Sequence, residues 1–162
     1  MNDIADEAGV VRQTLYLSFS SKNAVLRAAI RHHANEIADR IATDWQGIDT
    51  LSEKLDAFLS HSVIEPFRAV RHTPDFEDLA SGFNAEGREE IEQANERLAA
   101  LLATALSPHA IALGTISQTP ERFAEFVQLS AHRLKYGARD EAHLRELLGA
   151  LKAATLAVSG VK

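Results

Sequence analysis

The chain is predicted to be all-α, with a small helix-turn-helix at its start and a larger helical domain behind it. Three observations predict this. Apolar residues recur with a 3.6-residue period through most of the chain, and no alternating strand pattern stands beside them. Only four prolines and eight glycines interrupt 162 residues, so long helices are permitted. Helix-capping signals recur at Ser20-Ser21, Thr50, Thr73, Thr119 and Asp140.

The elements follow in order. Residues 3–8 read as a short helix stopped by Gly9, and residues 12–19 as a second, with Leu15 and Phe19 at i, i+4 on one face. A third begins at Lys22 and keeps Leu26, Ile30, Ala34, Ile37 and Ile41 in phase to about Trp45. Thr50-Leu-Ser-Glu53 has the form of a capping box. It opens a helix faced by Leu55, Phe58, Leu59 and Val63, whose end is expected at Pro66. Thr73-Pro74 predicts a short helix stopping near Gly82. Ile91, Ala94, Leu98, Leu101, Leu102 and Ala105 stripe a longer one from about Ala85 to Ser107-Pro108, and residues 108–118 read as loop or one irregular turn. Thr119-Pro120 opens a helix carrying Phe123, Phe126, Val127, Ser130 and Leu134 as far as Gly137. Asp140 opens the last, lined by Leu144, Leu147, Leu148, Leu151 and Val158. A short turn joins these two, so they are expected to lie antiparallel.

Charge is distributed unevenly. The net charge of −6 argues against nucleic acid on its own. Residues 1–33, however, hold Arg12, Lys22, Arg27 and Arg31 against Asp3, Asp6 and Glu7, a net of +1, so the acid lies outside the opening segment. DNA responds to local potential, which makes the asymmetry more informative than the total. There is no cysteine, hence no disulfide and no thiolate ligand or nucleophile, and a reducing cytoplasm is the expected location. No signal peptide and no apolar run near 18 residues is readable, so no membrane span is expected.

Residues 3–19 meet the needs of a helix-turn-helix. Gly9 allows the tight turn. Ile4, Ala5, Ala8, Val10, Leu15 and Phe19 supply a small core that sets the interhelical angle. Arg12, Gln13, Thr14 and Ser18 then point outward. Arg and Gln can pair with guanine and adenine edges respectively, and Thr14 can meet a phosphate or a thymine methyl. Tyr16 can reach a phosphate with its hydroxyl, and Lys22 beside free helix amides forms a phosphate clamp. A plain helical corner is the alternative that spacing alone leaves open.

The residues go beyond spacing. "DIADEAGVVRQTLYLSFSSKNAVL" resembles the DNA-binding signature of the TetR family of transcriptional regulators, I-A-x-x-A-G-V, then T-L-Y-x-x-F, then S-K-x-x-L. Ile4, Ala5, Ala8, Gly9, Val10, Thr14, Leu15, Tyr16, Phe19, Ser21, Lys22 and Leu26 carry the match, and "SAHRLKYGARDEAHLRELL" is similar to the end region of many members. Val11 stands where members commonly have Ser, which removes one cap, about 1 kcal/mol, and Ser18 replaces a frequent His.

The resemblance implies a homodimer joined by its two C-terminal helices. It also implies a small-molecule effector cavity and ligand-controlled binding, usually repression, at a palindromic double-stranded DNA operator. Thr14, Tyr16 and Lys22 are then the expected DNA contacts, and Arg12, Gln13 and Ser18 the positions that choose the operator. Members carry a further helix ahead of the position of Met1, so residues upstream of Met1 are expected in the native protein.

These expectations divide the chain into a head with its connecting helix, residues 1–42, and a sensing and dimerising domain, residues 43–162. Phe58, His61, Phe67, Phe83, Phe126 and His132 are candidate pocket residues for a mostly hydrophobic ligand. Phe123, Leu134, Leu144, Leu148 and Leu151, with Phe126, are candidates for core or dimer contacts, which sequence leaves undivided. No metal or other cofactor is expected. His32 and His33 are adjacent and splay apart, His132 and His143 fall on different helices, and no His-x-x-x-His pair occurs. No nucleophile elbow is readable, so an enzyme is not expected. The rival from another class is a helical small-molecule-binding or interaction protein with an incomplete, non-functional head.

Overall fold

The computed structural model describes residues 1–71 and 87–161, and the side chains of residues 1–69 and 87–161. The chain opens with helices α1 (Asn2–Glu7), α2 (Arg12–Ser18) and α3 (Lys22–Asp44). A 3₁₀ turn at Trp45–Gly47 leads to α4 (Leu51–Leu59) and, through a π-helical turn, to α5 (Glu65–Arg71). Beyond residue 87 lie α6 (Arg88–Leu106), the short α7 (Ala110–Gly114), α8 (Pro120–Gly137) and α9 (Glu141–Val158). No strand occurs among the described residues.

The caps form as their residue types dictate. Ser21 Oγ accepts the amide of Ala24, Thr119 Oγ1 that of Arg122, and Asp140 Oδ1 that of His143. Thr50 accepts the Glu53 amide while donating its own hydroxyl to the Glu53 carboxylate at 2.5 Å, a variant of the expected box. Val11 at the N-cap of α2 offers no side-chain bond. The cap expected at Thr73-Pro74, the stop at Gly82 and the start at Ala85 lie outside the described residues.

Two elements differ from expectation. The fourth helix does not end at Pro66. A π turn at Ser60–Ile64 carries it on, with the Glu65 amide donating back to Ser60 O. The wider turn makes room for the proline ring against the preceding carbonyls. Ser62 Oγ donates to Phe58 O at 2.6 Å, satisfying a carbonyl the irregular turn would leave open. Residues 107–114 are likewise not loop but a 3₁₀ turn (Ser107–His109) followed by α7. Leu113 is fully buried there, so packing rather than periodicity stabilises it.

The core collects Ile37 and Ile41 of α3, Leu55 and Phe58 of α4, Leu98, Leu102 and Leu106 of α6, Val127 of α8 and Leu144 of α9. The most extensive contact is between α6 and α8, next between α3 and α6, while α8 and α9 pack less broadly across their short turn. Nearness in sequence does not set this order. Alanines decide it: Ala103, Ala124 and Ala131 are buried and let α6 and α8 approach closely.

Residues 88–114 contain an 18-residue stretch apolar enough to cross a bilayer by length and composition, at mean hydropathy 1.3, contrary to the expectation that no such stretch exists. Leu98, Leu102, Ala103, Ala105, Leu106 and Leu113 of this span lie in the core, whereas Ile111 is exposed; a core helix of a helical domain has the same composition.

Peripheral ion pairs tie the helices together. Arg68 Nε and Nη2 reach the two oxygens of Glu141 at 2.7 and 2.6 Å, joining α5 to α9. Lys152 Nζ bridges α9 to α4 through Asp56 at 2.6 Å. Arg97 joins α6 to Asp39 of α3 at 3.1 Å. Exposed pairs of this kind contribute about 0.2–1 kcal/mol each, so they fix orientation more than stability.

Candidate nucleic-acid interface

The opening unit is built on two buried residues. Ala5 of α1 is 2% exposed and Leu15 of α2 is 8% exposed. Gly9 sits between the helices at φ +63, a left-handed conformation that glycine adopts without a Cβ penalty. The amide of Val10 closes the turn onto Ala5 O. Ile4 and Phe19 are half-buried, whereas Ala8 and Val10 are exposed, so the core expected from six residues rests on four.

Because Leu15 faces inward, the rest of α2 faces out. Arg12, Gln13, Thr14, Tyr16 and Ser18 are all exposed on this seven-residue helix. Arg12 Nη2 donates to the Tyr16 hydroxyl at 3.4 Å, and its guanidinium lies 5.3 Å from the Tyr16 ring centroid. This i, i+4 contact pre-orders two polar side chains at one end of the surface. Lys22 follows at the first position of α3, where unpaired helix amides and a cation can meet a phosphate together. Arg27 and Arg31 continue along exposed positions of α3.

The sequence reading missed two residues. Val11 is 72% and Leu17 82% exposed, bracketing the polar face of α2. Exposed aliphatic groups on such a helix suit thymine methyls. Leu17, between Tyr16 and Ser18, falls opposite the Leu15 side, a signal that helical phase could have supplied.

Residues 1–29 match the family model described as bacterial regulatory proteins, tetR family. That match covers the helix-turn-helix head and not the larger helical domain. The matched head supports a DNA-binding regulator of the TetR type, and the all-α build agrees. Neither the curated proteins nor the solved structures yield a match.

Among the described residues, the pocket positions expected from sequence lie in different surroundings. Phe58 and Phe67 are core, Phe126 is 57% exposed on the surface of α8, and Phe83 lies outside the described residues. His61 lies between two carboxylates, its Nε2 hydrogen-bonded to Asp44 at 2.7 Å and its Nδ1 2.8 Å from Glu65 without a hydrogen bond. His132 packs edge-on against Tyr136, ring centroids 5.3 Å apart. Burial away from water, with Lys135 and Arg133 nearby, lowers its pKa from 6.5 to about 4, so it is uncharged near neutrality.

The structure divides the residues that sequence left between core and dimer. Phe123, Leu144 and Leu148 are buried within the single chain, and Leu134 and Leu151 are half-buried against the same core. That follows from the inward face of α8 and α9 meeting α6 and α4. Among the described residues no cluster of three or more His, Asp or Glu has metal-binding geometry.

Proposed function

We propose that this chain is a ligand-responsive repressor that binds a palindromic operator as a homodimer. Residues 1–42 act as the head and its connecting helix, and residues 43–162 as the sensing and dimerising domain. The observation that carries the reading is the outer face of α2. Arg12, Gln13, Thr14, Tyr16 and Ser18 stand exposed above a base of Ala5 and Leu15, with Lys22 at the start of the next helix.

In this reading α2 enters the major groove. Arg12, Gln13 and Ser18 read base edges, while Thr14, Tyr16 and Lys22 hold phosphates. Dimerisation is supported by surface left uncovered in one chain. Phe126 projects from α8, and α9 exposes Ala142, Gly149, Ala150, Ala153 and Ala157 along one side, small residues that allow close helix approach. Two such heads one helical turn apart would read an inverted repeat. An effector bound in the larger domain would favour a dimer whose heads no longer match successive grooves. A cytoplasmic location is consistent with this work and with the absence of cysteine.

Selection of bound DNA from a genomic pool at near-physiological salt tests the proposal, using the 162-residue chain and a version extended to upstream in-frame codons. Enrichment of an inverted repeat by either supports it. If neither enriches, the chain is better read as a helical small-molecule-binding or interaction protein.

A further inference from the structure

Helices α6 and α8 leave an open groove of about 510 Å³ between them. Ala99, Ala100 and Ala103 of α6 and Leu129 of α8 give it an apolar lining. Glu92 and Glu96 on one helix, with Glu121 and Glu125 on the other, surround that lining with exposed carboxylates. None of the residues lining the groove is basic. Carboxylates collected around one concavity reinforce a local negative potential that a cation would relieve. Glu121 is held ionised, its pKa lowered by its own backbone amide and by the Thr119 hydroxyl.

A second feature is independent of the charge. Gln128 also lines the groove and is only 2% exposed. Its Nε2 donates to Asn95 Oδ1 at 3.2 Å, but its Oε1 is buried without a hydrogen-bond partner. Buried carbonyl oxygens are nearly always satisfied, so an unpaired one beside a cavity calls for a donor from outside the chain. The donor that suits both features is a charged N–H group.

We propose that this groove binds a small organic ammonium ion with an apolar body. The Gln128 amide turns toward the groove so that Oε1 accepts an N–H of the ligand, the positive charge sits among the glutamates, and the body lies along the alanines and Leu129. The site shares no residue with the aromatic pocket expected from sequence. An effector role for the ammonium ion rests on the regulator reading above, whereas the binding itself does not.

Calorimetric titration of the intact chain, without DNA, separates the two. The probe is phenethylammonium, compared with phenethyl alcohol, which lacks the charge, and trimethylphenethylammonium, which lacks the N–H. Saturable binding of phenethylammonium is expected, with both analogues at least about tenfold weaker, roughly the worth of one charge-assisted hydrogen bond. Gln128→Met should weaken the ammonium about tenfold. The combined variant E92Q/E96Q/E125Q changes only exposed side chains, so it tests the charge even if Gln128→Met fails to fold; it should weaken binding and remove most of its salt dependence. The proposal is overturned if phenethylammonium shows no saturable binding at millimolar concentration, if the alcohol binds as tightly, or if the glutamate variant binds with unchanged affinity.

Discussion

Arg27 Nε lies 3.5 Å from Glu90 Oε1, linking α3 just beyond the head to the first turn of α6. The Glu90 side chain is 10% exposed and that of Arg27 44%, so the carboxylate is the desolvated partner. Its other oxygen, Oε2, is buried without a hydrogen bond. A charge so placed gains little from one long contact and loses much of its hydration.

The two halves of this pair should therefore behave differently on substitution. Arg27→Ala leaves a buried carboxylate unpaired and should destabilise the fold by about 1–3 kcal/mol. Glu90→Leu removes the burial cost and should be neutral or stabilising by about 1 kcal/mol. Urea denaturation of both variants checks this, and equal losses would contradict the desolvation argument.

The proposed DNA surface predicts two kinds of loss. Gln13→Ala should cost about 1–3 kcal/mol at the cognate operator and relax specificity at one base pair. Lys22→Ala should weaken all sequences alike and lower the slope of log affinity against log salt by about one. Titrations of cognate and scrambled DNA at several salt concentrations distinguish a base contact from a phosphate contact.

Gly149 lies in the middle of α9, exposed, and a Cβ built there meets nothing within 4 Å. Gly149→Ala should stabilise the single chain by about 0.5–1 kcal/mol through helix propensity. If the small-residue side of α9 is the dimer seam, Gly149→Arg should leave helicity intact while converting dimer to monomer. Analytical ultracentrifugation with circular dichroism reads both, and an unchanged dimer would move the seam elsewhere.

Acid should destabilise the protein in two steps. The pKa of His132 is lowered in the fold to about 4 from 6.5, so the unfolded chain binds the extra proton between these values. That contribution is complete above pH 6.5 and is lost as pH falls towards 4, on the order of 2 kcal/mol after allowance for partial exposure. Hydrogen bonds from Arg68 and Arg145 hold Glu141 at about 2 instead of 4.5. Its contribution is present above pH 4.5 and lost as pH falls through 2. Thermal melts across pH should show both limbs, and His132→Gln should flatten only the upper one.

The local sequence determined a great deal here. Ser21, Thr50, Thr119 and Asp140 cap the helices they precede, because a cap needs only a short polar side chain within three residues of a free amide. Gly9 takes the left-handed turn, and the polar residues of α2 face outward because Leu15 must face in. The family signature was legible for the same reason, since it lies within one short contiguous stretch. Tertiary structure decided what depends on distant neighbours. Periodicity marked Phe123, Leu144 and Leu148 as apolar-face residues but could not say whether one chain or two would cover them; the packing of α8 and α9 did. Pro66 reads as a stop until the π turn and Ser62 accommodate it. The groove between α6 and α8 joins residues some thirty positions apart, as in the Asn95–Gln128 bond. Each position taken alone looks like an ordinary solvated helix face, because a concavity exists only once two helices have met.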